Sequence, residues 1–178
     1  KQYKDPESPE TLKSLNMLCV RLVFCLYAEH AGIFGSHNMF GRYLKHFPAD
    51  EVHKNLRELF KVLNMTQEQR DDYDEYMDPK LAAFPYVNGG LFADDNYKIP
   101  RFNEEIVKLL VEDASEGFDW SEISPTIFGA VFESTLNPET RRSGGMHYTS
   151  IENIHKVINP LFLDELKAEF NTICETKV

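Results

Sequence analysis

Apolar residues recur at helical spacing along most of the chain. The clearest case is a one-sided stripe for a helix predicted from Asp50 to Leu63: Val52, Leu56, Leu59, Phe60 and Leu63. A longer helix is predicted to begin at Ser8-Pro9, where an N-cap residue precedes proline, and to end at Gly32. From Met17 to Ala28 this helix is apolar on nearly all sides, so we expect it to be the buried central helix of the domain.

Shorter helices are predicted for runs of residues that begin at a capping residue or end at a helix-breaking residue. One begins near Met39 and is stopped by Pro48, and Thr66 with Gln69 forms a capping-box pattern that opens another. Further helix starts are marked by four residues: Asn103, Asp119, Ser124 and Thr149. The pattern therefore predicts a mainly α fold, an irregular multi-helix domain with about eight helices.

The stretch Phe84–Phe92 (FPYVNGGLF) is the one candidate for β-structure. Its Asn-Gly-Gly core permits the positive φ angles of a tight turn, and the aromatic residues on both sides would anchor it. A short β-hairpin near residues 84–99 is thus compatible with the sequence.

Three charged or polar residues, Arg21, Glu29 and His30, interrupt the apolar central helix. Buried charges require partners, so we predict that Arg21 pairs internally with an acid and serves the structure rather than catalysis.

The chain is acidic overall, with a formal net charge of -10 and a pI near 5.1. Phosphate binding needs a basic face, so this balance disfavours a stand-alone nucleic-acid binder. Basic residues are densest around the second and third helices. A minority interpretation is that some of them contact DNA directly: Arg42, Lys45, Lys54, Arg57 and Lys61.

The remaining composition points to a chain without membrane segments. We find no apolar run of transmembrane length and no signal-peptide pattern, so we expect a cytoplasmic protein with no membrane partner. The three cysteines, Cys19, Cys25 and Cys174, lack metal-ligand spacing. We expect free thiols, with the two in the apolar run buried.

Motifs of common enzyme chemistry are missing from the sequence. Zinc-ligand spacing, a P-loop and a GxSxG elbow are all absent. The acidic cluster Asp71, Asp72, Asp74 and Glu75 is interpreted as a solvated face rather than a metal site. We therefore expect no catalytic residue and no metal site in this chain.

The segment from Gly144 to Leu166 (GGMHYTSIENIHKVINPLFLDEL) combines a tight loop with a helix start. Thr149 and Glu152 form a capping-box pattern, and apolar residues then follow at helical spacing. The loop thus delivers a His-Tyr pair to a helix N-terminus, where free N–H groups and the helix dipole favour polar or anionic ligands.

Four stretches in fixed order join these features: LCVRLVFCLYAEHAGIF (18–34), FPYVNGGLF (84–92), DWSEISPTIFGAVFE (119–133) and RRSGGMHYTS (141–150). Together they resemble the MmeI-like (type IIL, within type IIG) restriction–modification enzymes of bacteria. In that family a helical spacer, also called a helicase-spacer domain, links an N-terminal nuclease to a DNA adenine methyltransferase that uses S-adenosylmethionine. The resemblance covers roughly residues 10 to 170.

The resemblance implies two parts, a helical spacer domain at residues 1–142 and the leading segment of a methyltransferase domain at 143–178. The second part would carry methyltransferase motif X, in which Gly145, His147, Tyr148, Thr149 and Ser150 form part of the S-adenosylmethionine pocket wall. Many adenine methyltransferases have proline after the threonine, where this chain has Ser150. The expected partners are the neighbouring nuclease and methyltransferase domains of the same chain, and DNA through the parent protein.

The Gly-rich cofactor loop and the Asn/Asp-Pro-Pro-aromatic catalytic motif of that family do not occur in these residues. We therefore expect a piece of a longer protein that has no activity of its own and needs the parent to bind S-adenosylmethionine. The alternative is a free-standing helical protein-interaction module with no cofactor, which presents the Asn-Gly-Gly turn and exposed aromatic residues to a partner.

Overall fold

The structure is a computed structural model that describes residues 2–74, 76–87, 90–124, 126–129 and 151–175. These residues form two compact units, Lys1–Glu122 (unit 1) and Ile123–Val178 (unit 2). They contain helices, turns and irregular segments but no strand, which confirms the mainly α prediction. The domain boundary near residue 142 stays a prediction.

The described part of unit 1 contains six α-helices: α1 (Pro9–His30), α2 (Met39–Leu44), α3 (Ala49–Leu63), α4 (Gln67–Tyr73), α5 (Pro79–Ala82) and α6 (Glu104–Lys108). Helix α6 continues as a π-helical segment, π1 (Leu109–Glu116), and a 3-10 turn follows at Trp120–Glu122. The described part of unit 2 contains α7 (Ile151–Ile158), a second π-helical segment, π2 (Asn159–Leu163), and α8 (Asp164–Glu175).

Helix α1 is the central helix, as predicted. The Ser8 hydroxyl accepts a hydrogen bond from the Thr11 N–H at 3.2 Å, and Gly32 follows the helix with φ of 76°. Cys25 and Ala28 are fully buried on its inner side. Cys19 is exposed, so the expectation that both cysteines of this helix are buried was wrong for one of them.

By length and composition alone α1 is apolar enough to cross a membrane, contrary to our expectation that no segment is. The core helix of a folded domain meets the same criteria. Here Arg21 and Glu29 are both buried completely and form hydrogen bonds within unit 1. The fold thus uses α1 as a core helix.

Helix α3 buries the predicted stripe almost completely. Val52, Leu56, Leu59 and Leu63 have no exposed surface, because α2, α5 and α6 pack around this helix. The capping box at Thr66 is also confirmed, since the Thr66 N–H donates to Gln69 Oε1 at 2.9 Å and the Gln69 N–H donates to Thr66 Oγ1 at 3.4 Å.

The hairpin considered near residues 84–99 is not formed among the described residues of that range. Phe84 and Phe92 are buried in the core. The Val87 N–H donates to the Leu63 carbonyl at 2.7 Å, so this segment bonds to the end of α3 rather than to a partner strand. Burial of aromatic anchors on different sides of an irregular loop replaces the cross-strand ladder. Asn88 and Gly89 lie outside the described residues.

Helix α6 starts as predicted, with Asn103 Oδ1 accepting from the Ile106 N–H at 3.0 Å. The change to a π-helix after Lys108 was not predicted. Asp119, predicted to start a helix, precedes the 3-10 turn at Trp120–Glu122, and its carboxylate accepts from the Ser121 N–H at 2.9 Å.

In unit 2, residues 151–175 form one continuous helical run that contains π2 at its middle. Pro160 has no N–H to donate, and the wider π turn is where the helix adjusts to this missing hydrogen bond. The helix predicted after Ser150 is confirmed at Ile151–Ile158, whereas its capping residue Thr149 lies outside the described residues.

Candidate functional site

The buried carboxylate of Glu29 joins three elements of unit 1. It accepts hydrogen bonds from the N–H groups of Phe40 at 2.9 Å and Gly41 at 3.1 Å, in the first turn of α2. The Ser115 hydroxyl of π1 donates to its other oxygen at 2.7 Å. Burial raises the pKa of Glu29 above its ordinary 4.5, and these hydrogen bonds and the nearby His30 oppose that rise. Glu29 therefore holds α2 and π1 against the end of α1.

Gly41 allows this close approach. A Cβ atom at this position would overlap the Ser115 hydroxyl and lie 3.0 Å from Ser115 Cβ. We predict that Gly41→Ala lowers the free energy of unfolding by about 1–3 kcal/mol, because α2 and π1 must move apart. Chemical denaturation measures it. In the double variant with Ser115→Gly the loss should be smaller than the sum of the two single losses, and strict additivity would contradict the explanation.

Arg21 connects α1 to the irregular segment after residue 90. Its Nε donates to the Leu91 carbonyl at 3.0 Å and its Nη2 to the Asp94 carbonyl at 2.7 Å. The guanidinium carbon also lies 4.3 Å from the Tyr97 ring centroid and 5.4 Å from that of Phe92. The predicted internal role is thus present, but the predicted acid partner was wrong: backbone carbonyls and aromatic rings take its place.

Arg70 is a second buried arginine that bonds to backbone carbonyls, and its role was not predicted from the sequence. Its guanidinium donates to the carbonyls of Val62, Met65, Ala82 and Phe84 at 2.6–3.3 Å. It thereby connects the Val62 carbonyl in the last turn of α3, and the Met65 carbonyl just after it, to the end of α5. Burial lowers the pKa of Arg70. An arginine next to a capping box carries no sequence signal for this role.

The basic residues proposed for DNA contact are mostly engaged within unit 1. Lys45 Nζ lies 2.6 Å from Glu116, Lys61 Nζ lies 3.0 Å from Glu58, and the Arg42 guanidinium donates to the Ser36 hydroxyl at 2.9 Å. Exposed pairs of this kind add little stability, but each acid offsets charge that phosphate would require. The arrangement does not build a free cationic face.

We therefore predict that this chain alone shows no saturable binding to duplex DNA, even at low salt. Fluorescence anisotropy of a labelled duplex measures this directly. Binding that weakens with salt, and that disappears in a Lys54→Ala, Arg57→Ala double variant, would restore direct DNA contact.

A shallow groove of about 280 Å³ separates the α2–α3 connection from α6 and π1. Half of its lining residues are apolar, and the other half are two lysines and two glutamates: Lys45, Lys108, Glu104 and Glu112. Lys108 and Glu112 lie 3.7 Å apart, so part of the rim is already paired. The volume is at the lower end for small-molecule sites, and the groove does not converge polar groups on one point.

Within the described ranges no group of three or more His, Cys, Asp or Glu side chains is arranged to hold a metal ion. Asp71, Asp72 and Asp74 are exposed, as expected for a solvated face. The charged residues buried in unit 1 bind its own backbone and side chains. Unit 1 is therefore a helical framework whose buried polar groups connect its helices.

The five residues predicted for the cofactor wall, Gly145, His147, Tyr148, Thr149 and Ser150, lie outside the described residues. Helix α7 begins at Ile151, directly after them in sequence. Their role in cofactor binding stays a prediction.

Comparison with known proteins gives a family match inside unit 1. Residues 13–92 match the family model described as the MmeI helicase spacer domain. The match takes in α1 from Lys13 onward, α2 to α5 and the Phe84–Phe92 stretch, so this region is similar to the helical spacer of MmeI-like restriction–modification enzymes.

Relatives match over most of the chain. DNA methyltransferase A of Bacillus subtilis (strain 168) is 38% identical over 164 residues, covering 90% of this chain and 18% of that protein. A putative type II restriction enzyme and methyltransferase of Methanocaldococcus jannaschii is 28% identical over 199 residues, covering 93% of this chain and 16% of that protein.

A solved structure of the type IIL restriction–modification enzyme MmeI in complex with DNA matches with a TM-score of 0.57 at 38% sequence identity. The match covers 94% of this chain and 21% of the MmeI chain. The present chain thus spans about a fifth of the length of these relatives.

Proposed function

We propose that the chain is the spacer domain and the leading methyltransferase segment of a restriction–modification enzyme that methylates adenine in DNA. The observation that carries this proposal is the match of 90% of the chain to DNA methyltransferase A, which extends beyond the spacer region at residues 13–92. In this function, unit 1 connects a nuclease module to the methyltransferase module of the same polypeptide.

The work of the spacer is mechanical in this proposal. A connector that fixes the distance between two modules must resist bending, and unit 1 is cross-connected by charged side chains that have no exposed surface, such as Arg21 and Glu29. Separating a buried charge from its partners costs several kcal/mol of free energy, so these connections oppose partial opening of the helices.

The segment Gly145–Ser150 would contribute to the S-adenosylmethionine pocket of the complete enzyme. That cofactor supplies the activated methyl group when bound. The hydroxyls of Thr149 and Ser150, and the first N–H groups of α7, have the donor chemistry that a carboxylate requires. A glycine at position 145 would let the backbone approach a ligand closely.

The test uses the parent polypeptide extended through its downstream residues, assayed for methyl transfer from S-adenosylmethionine to adenine in duplex DNA. We expect transfer by the parent and none by residues 1–178. Tyr148→Ala in the parent should weaken cofactor binding about tenfold, equivalent to 1.4 kcal/mol, whereas Tyr76→Ala on the surface should not.

Transfer by the isolated chain would contradict the proposal. So would a reading frame that ends near Val178, or one that continues without a Gly-rich cofactor loop and an Asn/Asp-Pro-Pro-aromatic motif. Those results would favour the free-standing interaction module.

A further inference from the structure

Helix α6 changes its hydrogen-bond register without a local cause. After Lys108 the run continues as π1, in which backbone N–H groups bond to carbonyls five residues earlier instead of four. The segment π2 contains Pro160, which explains its wider turn, whereas π1 (LLVEDASE) contains neither proline nor glycine. A contact from outside the run therefore accounts for π1.

The residues of α6 and π1 have the sequence of an ordinary α-helix. Most of them are strong helix formers, and the Asn103 side chain caps the first turn. Apolar residues recur at intervals of three and four from Ile106 to Ala114. Lys108 lies 3.7 Å from Glu112, and a pair of opposite charges four residues apart stabilises an α-helix. Local preference thus favours the α register throughout.

Two hydrogen bonds hold the end of π1. Ser115 has no exposed surface, and its hydroxyl donates at 2.7 Å to the buried carboxylate of Glu29, which lies 86 residues away in the sequence. The Ala114 carbonyl accepts from the Trp120 indole N–H at 2.6 Å. A shift of one residue in register turns a side chain by about 100° around the helix axis and moves it by about 1.5 Å along it. Such a shift breaks both hydrogen bonds.

We infer that the Ser115–Glu29 hydrogen bond is a register latch, which keeps π1 in the π form, and that the same residues return to the α form when this bond is absent. The wider turn accommodates about one residue more than an α-helix of the same length. Ser115 reaches Glu29 with that additional residue in place. The latch does not depend on the proposed function.

The latch has a consequence for the turn that follows π1. Trp120 begins the 3-10 turn that packs against α1, and its indole is bonded to π1 itself. In the α form, the Ala114 carbonyl accepts from the backbone N–H four residues later and turns away from the indole. Loss of the acceptor at Glu29 should therefore change the surroundings of Trp120 through π1.

Scalar couplings across hydrogen bonds in NMR spectra test the latch, because each coupling identifies the carbonyl to which an amide N–H is bonded. In the unsubstituted chain we expect couplings across five residues in π1. In Ser115→Ala we expect couplings across four residues there, and a red shift in the fluorescence of Trp120, the single tryptophan of the chain. Couplings that stay at five residues in folded Ser115→Ala would overturn the latch.

Two further variants separate the latch from other effects of alanine. Asp113→Ala places the same residue in π1 at an exposed position and should keep the π form. Conversion of Asp113→Ala to the α form would overturn the latch in favour of helix propensity. Glu29→Gln keeps a hydrogen-bonding partner for Ser115, so it should keep both the five-residue couplings and the fluorescence of the unsubstituted chain.

Deletion of Asp113 gives a test that does not require Ser115→Ala to fold. With one residue fewer, residues 104–116 should form a regular α-helix that still brings Ser115 to Glu29. We expect a folded unit 1 with four-residue couplings and with Trp120 fluorescence like that of the unsubstituted chain. Unfolding of unit 1, or five-residue couplings that persist after the deletion, would contradict the latch.

Discussion

Replacing Arg21 with alanine is expected to lower the free energy of unfolding of unit 1 by about 3–5 kcal/mol. Two costs combine. The carbonyls of Leu91 and Asp94 lose donors in part-buried hydrogen bonds, and the buried space next to the Tyr97 ring is left empty. Each unpaired buried polar group and each cavity of this size is separately worth one to several kcal/mol, so the effect is about a third or more of typical domain stability.

Urea denaturation followed by circular dichroism measures this loss. Arg101→Ala, on an exposed arginine, is the matched control and should change stability by no more than about 0.5 kcal/mol. Arg21→Met keeps most of the side-chain volume but leaves the two carbonyls unpaired. Its loss of stability should therefore lie between that of Arg21→Ala and that of the Arg101→Ala control. A loss for Arg21→Ala no greater than that of the control would show that the buried guanidinium does not hold the segment after residue 90.

Replacing Glu29 with alanine is expected to cost about 3–4 kcal/mol. The donors of Phe40, Gly41 and Ser115 would all lose their acceptor inside the core. Glu29→Gln should cost much less, because its amide oxygen can accept from α2 and its amide group can donate to Ser115 once the hydroxyl turns. Chemical denaturation of both variants and of the unsubstituted chain distinguishes the loss of the charge from the loss of the hydrogen-bond acceptor.

The pH dependence of the Glu29→Gln difference has a defined sign. Burial raises the pKa of Glu29 in the folded state above 4.5, so folding favours the protonated carboxyl. The stability that Glu29 contributes is then complete below pH 4.5 and is lost as the pH rises through the folded-state pKa. Relative to the unsubstituted chain, Glu29→Gln should become more stable as the pH increases from 4 to 7. The reverse trend would mean that the hydrogen bonds lower the pKa of Glu29 by more than burial raises it.

The periodicity of the sequence was sufficient for the local helical structure. The Val52–Leu63 stripe, the Ser8-Pro9 start and the Thr66–Gln69 capping box all form as predicted, because each depends on residues within a few positions of one another. The resemblance carried by four ordered motifs also gave the spacer family. The cofactor segment at residues 145–150 stays a prediction.

The long-range polar contacts could not be read from the sequence. Arg21 was expected to meet an acid, but its partners lie 70 and 73 residues away and are backbone carbonyls, which any residue possesses. The Ser115–Glu29 bond joins residues 86 apart. The sequence allowed a hairpin near residues 84–99 but could not decide it for the same reason, since burial of Phe84 and Phe92 depends on the surrounding helices.

The sequence by itself thus determined the helices, their caps and the family of the spacer, because local hydrogen bonding and apolar periodicity act over short distances. Only the tertiary structure decided which apolar faces are covered. The α3 stripe is buried because α2, α5 and α6 pack against it, and burial of a face depends on which other elements are present to cover it.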